Sequence, residues 1–222
     1  MSNYDSYFIA GPENILPNHQ AHKESKTQSL VNIVKKLAQN GLDVFQLRAK
    51  TLNNNETIKL IFELHNAIKN TSTSLCINDN VQVAYKAKKV IDILHLGQSD
   101  MHPEEAQALL GDSIKIGLSI TNIKQLNTIP KCVSYIGVGP IYATNSKNDA
   151  SLPIGEEGLK NIILKVNLPV VAIGGIETNN LKSLFTLGVS GVAVISNILN
   201  SNDPLQNFIK FKEEINKGKE RK

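Results

Sequence analysis

The strongest constraint on this chain is a repeated switch between two hydrophobic periods. Short β-rich runs fall at Tyr7–Ala10, Asp43–Leu47, Thr73–Ile77, Asp92–Leu96, Ile114–Leu118, Ser134–Val138, Pro169–Ile173 and Gly191–Ile195. Most end at Gly, Asn or Asp and lead into a segment with helical spacing. The clearest such segment sets Leu30, Ile33, Val34 and Leu37 on one face and Lys35, Lys36 and Gln39 on the other, and Gly41 closes it as a left-handed residue. Further helices are expected at 56–69, 81–88, 103–110, 121–127, 156–166, 179–187 and 204–216. Pro103 suits a first helical turn, and Asp203–Pro204 reads as N-cap then first turn.

Strands alternating with helices imply parallel crossovers. Successive runs begin between 19 and 36 residues apart, room for one helix but not for a second domain. The expected fold is α/β, a single (β/α)8 TIM barrel, with an open doubly wound sheet as the alternative. One domain spans 1–222, with the barrel at about 7–211 and a basic C-terminal tail at 212–222. The 17-residue stretch 139–155 is long for a connection and reads as a functional loop.

Charge excludes one class of partner. The total is +4, and residues 210–222 hold six basic groups against three acidic ones, so the rest of the chain is nearly neutral. That tail reads as a solvated helix end. A nucleic-acid binder needs a basic face and stacking aromatics, and here aromatics make up 5% with no Trp. No run approaches a membrane span, and MSNYDSYFIAGPEN lacks the pattern of a signal peptide. Cys76 and Cys132 read as two buried, reduced thiols. The expected compartment is the cytoplasm, with no membrane partner. A homo-oligomer is left open.

In a barrel of this kind, chemistry sits just after the strands. Those positions carry Gln46, Arg48 and Lys50 after the second run, Asn78 and Asp79 after the third, and Asp100 after the fourth. Ser119 ends the fifth, Thr144, Asn145, Ser146 and Lys147 follow the sixth, Gly174 and Gly175 the seventh, and Ile195 and Ser196 the eighth. Three cations beside two carboxylates suit a polyanionic substrate with a divalent metal, since Mg²⁺ takes one or two carboxylates, substrate phosphates and water. The glycine pair, with Ser196 and the Thr144 and Ser146 hydroxyls, suits a second anion. Two anion sites in one mouth point to a reaction joining a diphosphate to a phosphate.

Each element alone has a plainer reading. Asn78–Asp79 is a turn or N-cap, Asp100 a helix cap, Gly174–Gly175 a tight turn, and Arg48 and Lys50 solvated rim charges. His95 lies within a strand and reads as a satisfied core or lumen histidine, and His65 as a surface one.

The segments QLRAK, IND, HLGQSD, GLS, YIGVGPIYATNSKNDA, PVVAIGGI and GVAVIS, in that order, resemble the thiamine-phosphate synthase (thiamin-phosphate pyrophosphorylase) family. The resemblance runs from about Tyr7 to Phe211. It implies a (β/α)8 enzyme that joins 4-amino-2-methyl-5-(diphosphooxymethyl)pyrimidine to 4-methyl-5-(2-phosphooxyethyl)thiazole, through a pyrimidinylmethyl cation, giving thiamine phosphate and diphosphate. By the same resemblance, Gln46, Arg48, Lys50, Asn78, Ser119 and Lys147 contact the pyrimidine diphosphate. Arg48, Lys50 and Lys147 are the catalytic cations, and Asp79 and Asp100 hold Mg²⁺. Thr144, Asn145, Ser146, Gly175, Ile195 and Ser196 hold the thiazole phosphate. Thr121 stands where many members have a histidine, which leaves the contacts near the pyrimidine open. Ser146 replaces a threonine and keeps its hydroxyl. Two rivals remain: a thiazole tautomerase on the same barrel, and a non-catalytic ligand-binding or regulatory barrel that keeps the site without turnover.

Overall fold

The computed structural model describes residues 4–20, 24–144 and 152–219. The strands are β1 (Ser6–Ala10), β2 (Val44–Leu47), β3 (Ser74–Asn78), β4 (Ile93–Leu96), β5 (Lys115–Ile120), β6 (Val133–Val138), β7 (Val170–Ile173) and β8 (Gly191–Val194). They form a closed barrel in sequence order, each strand parallel to the next, and β8 pairs with β1. Every expected strand is present, with its bounds moved by at most two residues. The open-sheet alternative does not apply.

Period-two alternation sorts each strand into two layers. Outward residues such as Phe8, Phe45, Leu75, Leu94, Ile136 and Val192 pack with the helices in one large core. Inward residues Tyr7, Ile9, Val44, Cys76, Ile93, Tyr135, Val171 and Ala193 fill the lumen with Tyr4. The barrel is therefore a packed core with its mouth at the strand C-termini.

The helices are α1 (Lys26–Gln39), α2 (Asn54–Ile68), α3 (Val81–Ala87), α4 (Pro103–Leu110), α5 (Gly155–Ile163), α6 (Leu181–Leu187), α7 (Ser196–Leu199) and α8 (Pro204–Lys219). α1 buries the expected face, and Gly41 follows its C-cap at φ +82°. Asp203 caps α8 by accepting from Leu205 and Gln206 N–H at 3.0 and 3.1 Å.

Three expectations need correction. The helix expected at 121–127 is a 3-10 helix at Ile123–Thr128. Its apolar residues Ile123 and Leu126, with Ile129 at its C-cap, recur every three positions, which is the 3-10 period. Cys132 is half-buried, because it lies in the turn ahead of β6; Cys76 is buried as expected.

The basic tail is not a free solvated end as far as Lys219. α8 buries Phe208, Phe211 and Ile215, Lys219 reaches Asp5 at 2.6 Å, and Lys212 lies 3.6 Å from Asp43. Asp43 Oδ2 also accepts from Ser6 N–H at 2.9 Å and Ser6 Oγ–H at 2.6 Å, and Ser6 is fully buried. Asp43→Ala is expected to lower stability by about 2–3 kcal/mol, because it orphans a buried N–H and a buried hydroxyl. Lys212→Met should cost no more than about 1 kcal/mol. Urea denaturation of both variants checks the ranking.

Candidate active site

On β2 to β5 the inward positions turn from apolar to polar toward the mouth. Val44 is followed by Gln46, Cys76 by Asn78, Ile93 by His95, and Gly117 by Ser119. Gln46 is buried and its Nε2 donates to Asn78 Oδ1 at 3.1 Å. Gln46, Arg48, Lys50, Asn78, Asp79, Asp100 and Ser119 all line one cavity of about 220 Å³. The residues expected on the diphosphate side thus meet at one place. Lys147, with Asn145 and Ser146, lies outside the described residues.

Local geometry removes the helix-cap readings of the two carboxylates, while both still sit in turns. α3 is capped by Asn80, whose Oδ1 accepts from Val83 N–H at 3.0 Å. Asp79 precedes that cap at φ +62°, with its N–H on His95 O at 2.8 Å. A non-glycine residue seldom adopts this conformation, and Asp is among the few that tolerate it. Asp100 does not cap α4, whose N-cap is His102; instead its Oδ2 accepts from Gly97 N–H at 2.6 Å and closes a turn.

The loop carrying the two cations is pinned from below. Arg48 N–H donates to Ala10 O at 3.0 Å, and Lys50 N–H donates to Glu13 Oε1 at 3.0 Å. Glu13, on a 3-10 turn at Pro12–Asn14, had no signal in the sequence, since its partner lies 37 positions away. Among the described residues, no group of three or more His, Cys, Asp or Glu forms a metal cage. Two carboxylates with amide oxygens and no thiolate on one cavity are a hard-oxygen donor set. They would hold a cation only with ligands supplied by substrate and water.

A second cavity of about 410 Å³ is lined by Thr144, Gly174, Gly175, Ile195 and Ser196. It shares Gly97, Ser99, Ser119, Gly137, Ile173 and Ala193 with the first, so the two form one continuous mouth. Gly174 and Gly175 have φ +98° and +61°, and a Cβ on Gly175 would lie 2.6 Å from Ala143 O. β8 ends at Val194, one residue earlier than expected, and Ser196 opens the short α7. A wider, polar cavity of about 920 Å³ continues outward past Thr144, Gly175 and Ser196.

At the departure position, Thr121 N–H donates to Gln125 Oε1 at 2.7 Å, and Asn122 N–H donates to the same oxygen at 3.3 Å. Thr121 and Gln125 both line the larger cavity. Both ends of the stretch 139–155 are tied down. Ile141 N–H donates to Ile173 O at 2.9 Å and Gly155 N–H to Ile141 O at 3.1 Å. Tyr142 Oη–H and Ser183 Oγ–H both donate to Glu156 Oε1, at 2.6 and 2.7 Å. Burial and then Glu156 push the Tyr142 phenol up to about 12, so it stays a donor.

The chain as a whole matches known proteins. A family model described as Thiamine monophosphate synthase covers residues 18–198. The chain belongs to the thiamine monophosphate synthase family. A curated thiamine-phosphate synthase from Lactococcus lactis subsp. cremoris is 33% identical over 216 residues, covering 96% of this chain and 95% of the relative. Another, from Clostridium novyi, is 37% identical over 177 residues, covering 79% and 86%. The solved thiamine phosphate pyrophosphorylase from Pyrococcus furiosus superposes with a TM-score of 0.81 at 24% identity, covering 98% of each chain. In this chain the motif segments fall on strand ends β2 to β8, where the two cavities open. No helix among the described residues is long and apolar enough to cross a membrane.

Proposed function

We propose that this chain is a transferase that makes thiamine phosphate. It joins 4-amino-2-methyl-5-(diphosphooxymethyl)pyrimidine to 4-methyl-5-(2-phosphooxyethyl)thiazole and releases diphosphate. The observation that carries this reading is the pair of continuous cavities, one cationic and carboxylate-bearing, the other built on a glycine pair and hydroxyls.

The first cavity takes the pyrimidine diphosphate. Gln46, Asn78 and Ser119 supply neutral hydrogen-bonding groups for the ring, while Arg48 and Lys50 face the diphosphate. Asp79 and Asp100 would hold Mg²⁺, which when bound neutralises diphosphate charge. Lys147 joins the cations on the strength of the resemblance. The second cavity takes the thiazole phosphate on the Gly175 backbone, Thr144, Ile195 and Ser196, with Asn145 and Ser146 added by resemblance.

The C–O bond of the pyrimidine substrate breaks with its electron pair leaving on diphosphate. Arg48 and Lys50 stabilise the charge that grows there. The resulting pyrimidinylmethyl cation is stabilised by its electron-rich aminopyrimidine ring. The thiazole nitrogen then donates its lone pair and becomes the thiazolium nitrogen, so no proton has to be removed and no protein nucleophile is required. What the protein supplies is charge and position, because a phosphate-anchored acceptor turns a bimolecular encounter into an oriented one. The free thiols Cys76 and Cys132 suit a reducing compartment, and we place the reaction in the cytoplasm.

Supplying both substrates with Mg²⁺ should yield thiamine phosphate and diphosphate in equal amounts. Conversion of a thiazole tautomer without coupling would mark an isomerase. Tight binding of both substrates without product would mark a non-catalytic barrel. Either result would overturn the assignment.

A further inference from the structure

The lumen beneath the mouth holds a linear chain of hydrogen bonds that ends at the proposed substrate site. Tyr7 Oη lies 2.8 Å from Tyr135 Oη, Tyr135 Oη lies 2.8 Å from His95 Nδ1, and His95 Nε2 lies 2.9 Å from Ser119 Oγ. The sheet makes room for it. A Cβ on Gly117 would overlap the Tyr135 ring, and one on Gly137 would come within 3.0 Å of His95 Cε1. Tyr7 and Tyr135 are buried, while His95 and Ser119 line the smaller cavity.

The chain can run in two directions. Run from Ser119 downward, its last proton, on Tyr7, is left with the sulfur of Cys76, a weak acceptor that also lies against Tyr135. Run upward, every proton meets an oxygen or a nitrogen. Tyr7 donates to Tyr135, Tyr135 donates to His95 Nδ1, and His95 Nε2–H donates to Ser119 Oγ. Burial holds both phenols well above their ordinary range and pushes the Cys76 thiol up to about 12, so all three groups remain protonated donors.

We propose that Tyr7, Tyr135 and His95 are positioning residues: they hold His95 as the Nε2–H tautomer, so that Ser119 accepts from below and presents its own O–H as a donor to the pyrimidine substrate. The relay rests on the proposed function only for the identity of that substrate. Its premise is a polar end group whose direction the protein sets in advance.

Nitrogen-15 NMR of the imidazole rings in the full chain reads the tautomer without any turnover, His95 being assigned by comparison with His95→Gln. The expected signature is protonated Nε2 and bare Nδ1, lost in Tyr135→Phe. A protonated Nδ1 in the wild type would overturn the proposal whatever the protein's activity. In steady-state assays Tyr135→Phe should lower kcat/KM for the pyrimidine diphosphate about five- to tenfold, as one lost hydrogen bond allows, and leave KM for the thiazole phosphate unchanged. In a Ser119→Ala background the same substitution should have no further effect. Equal losses in both backgrounds would mean a merely structural role. If Tyr135→Phe does not fold, the tautomer of the wild type decides the proposal by itself. Failure of the wild type to make thiamine phosphate, with the expected tautomer present, would count against the function and not against the relay.

Discussion

Asp79→Asn combined with Asp100→Asn is expected to lower kcat by about 10²–10³-fold and to move Mg²⁺ saturation to higher concentration. The structure selects asparagine over alanine. Asp79 sits at φ +62°, where asparagine is tolerated and alanine is strained. Asp100 Oδ2 accepts from Gly97 N–H, and an amide oxygen can keep that bond and the turn it closes. The pair therefore removes two negative charges and little else. Arg48 and Lys50 line the same cavity and would lose their counter-charges, so KM for the pyrimidine diphosphate should not rise in step. Initial rates across a Mg²⁺ series measure both quantities. A double variant with wild-type kcat and an unmoved Mg²⁺ midpoint would show that neither carboxylate holds the metal.

The second large effect is expected at the other cavity. Gly175→Ala should raise KM for the thiazole phosphate about 10²-fold, with a much smaller change in KM for the pyrimidine diphosphate. Its φ of +61° is unfavourable for alanine, and the new Cβ would press on Ala143 O and Tyr142 Cβ at 2.6 and 2.8 Å. The turn must move, and with it the Gly175 backbone that lines the cavity. Losing even one hydrogen bond to a charged phosphate costs about 1.5–3 kcal/mol. Gly111→Ala is the matched control: it also places alanine at a positive φ, +87°, but nothing lies within 4 Å of the new atom. If both variants changed KM alike, backbone strain alone would explain the effect and the phosphate assignment would fail.

Much of this was legible in the chain because it is written locally. The period-two and helical runs marked every strand, and Gly41, Pro103 and Asp203 marked helix ends that the structure keeps. The errors have physical causes. Ile123, Leu126 and Ile129 keep a three-residue period, but over two repeats this also passes for the i, i+3 face of an α-helix. Ser196 follows a strand that stops one residue early, and a four-residue helix is too short to leave a pattern. The basic residues of α8 looked solvated because their partners, Asp5 and Asp43, lie at the other end of the chain. Within the site, Asp79 and Asp100 each read by themselves as turn or cap residues, and as ligands only together with the other strand ends. Only the geometry of Asn80 and His102 showed that the caps are elsewhere.

What the sequence determined by itself was the number, order and parallel sense of the strands, since strand and helix periods depend on neighbouring residues alone. From that order came the face on which the polar strand ends gather. The tertiary structure decided what those residues touch. It set Arg48 and Lys50 on Glu13-pinned backbone across from two carboxylates, joined two cavities through shared walls, and ran Tyr7, Tyr135 and His95 up to Ser119. Those contacts span 24 to 128 positions of chain in the relay alone. Pairings at that separation leave no periodic trace, because closure of the barrel, not local preference, brings them together.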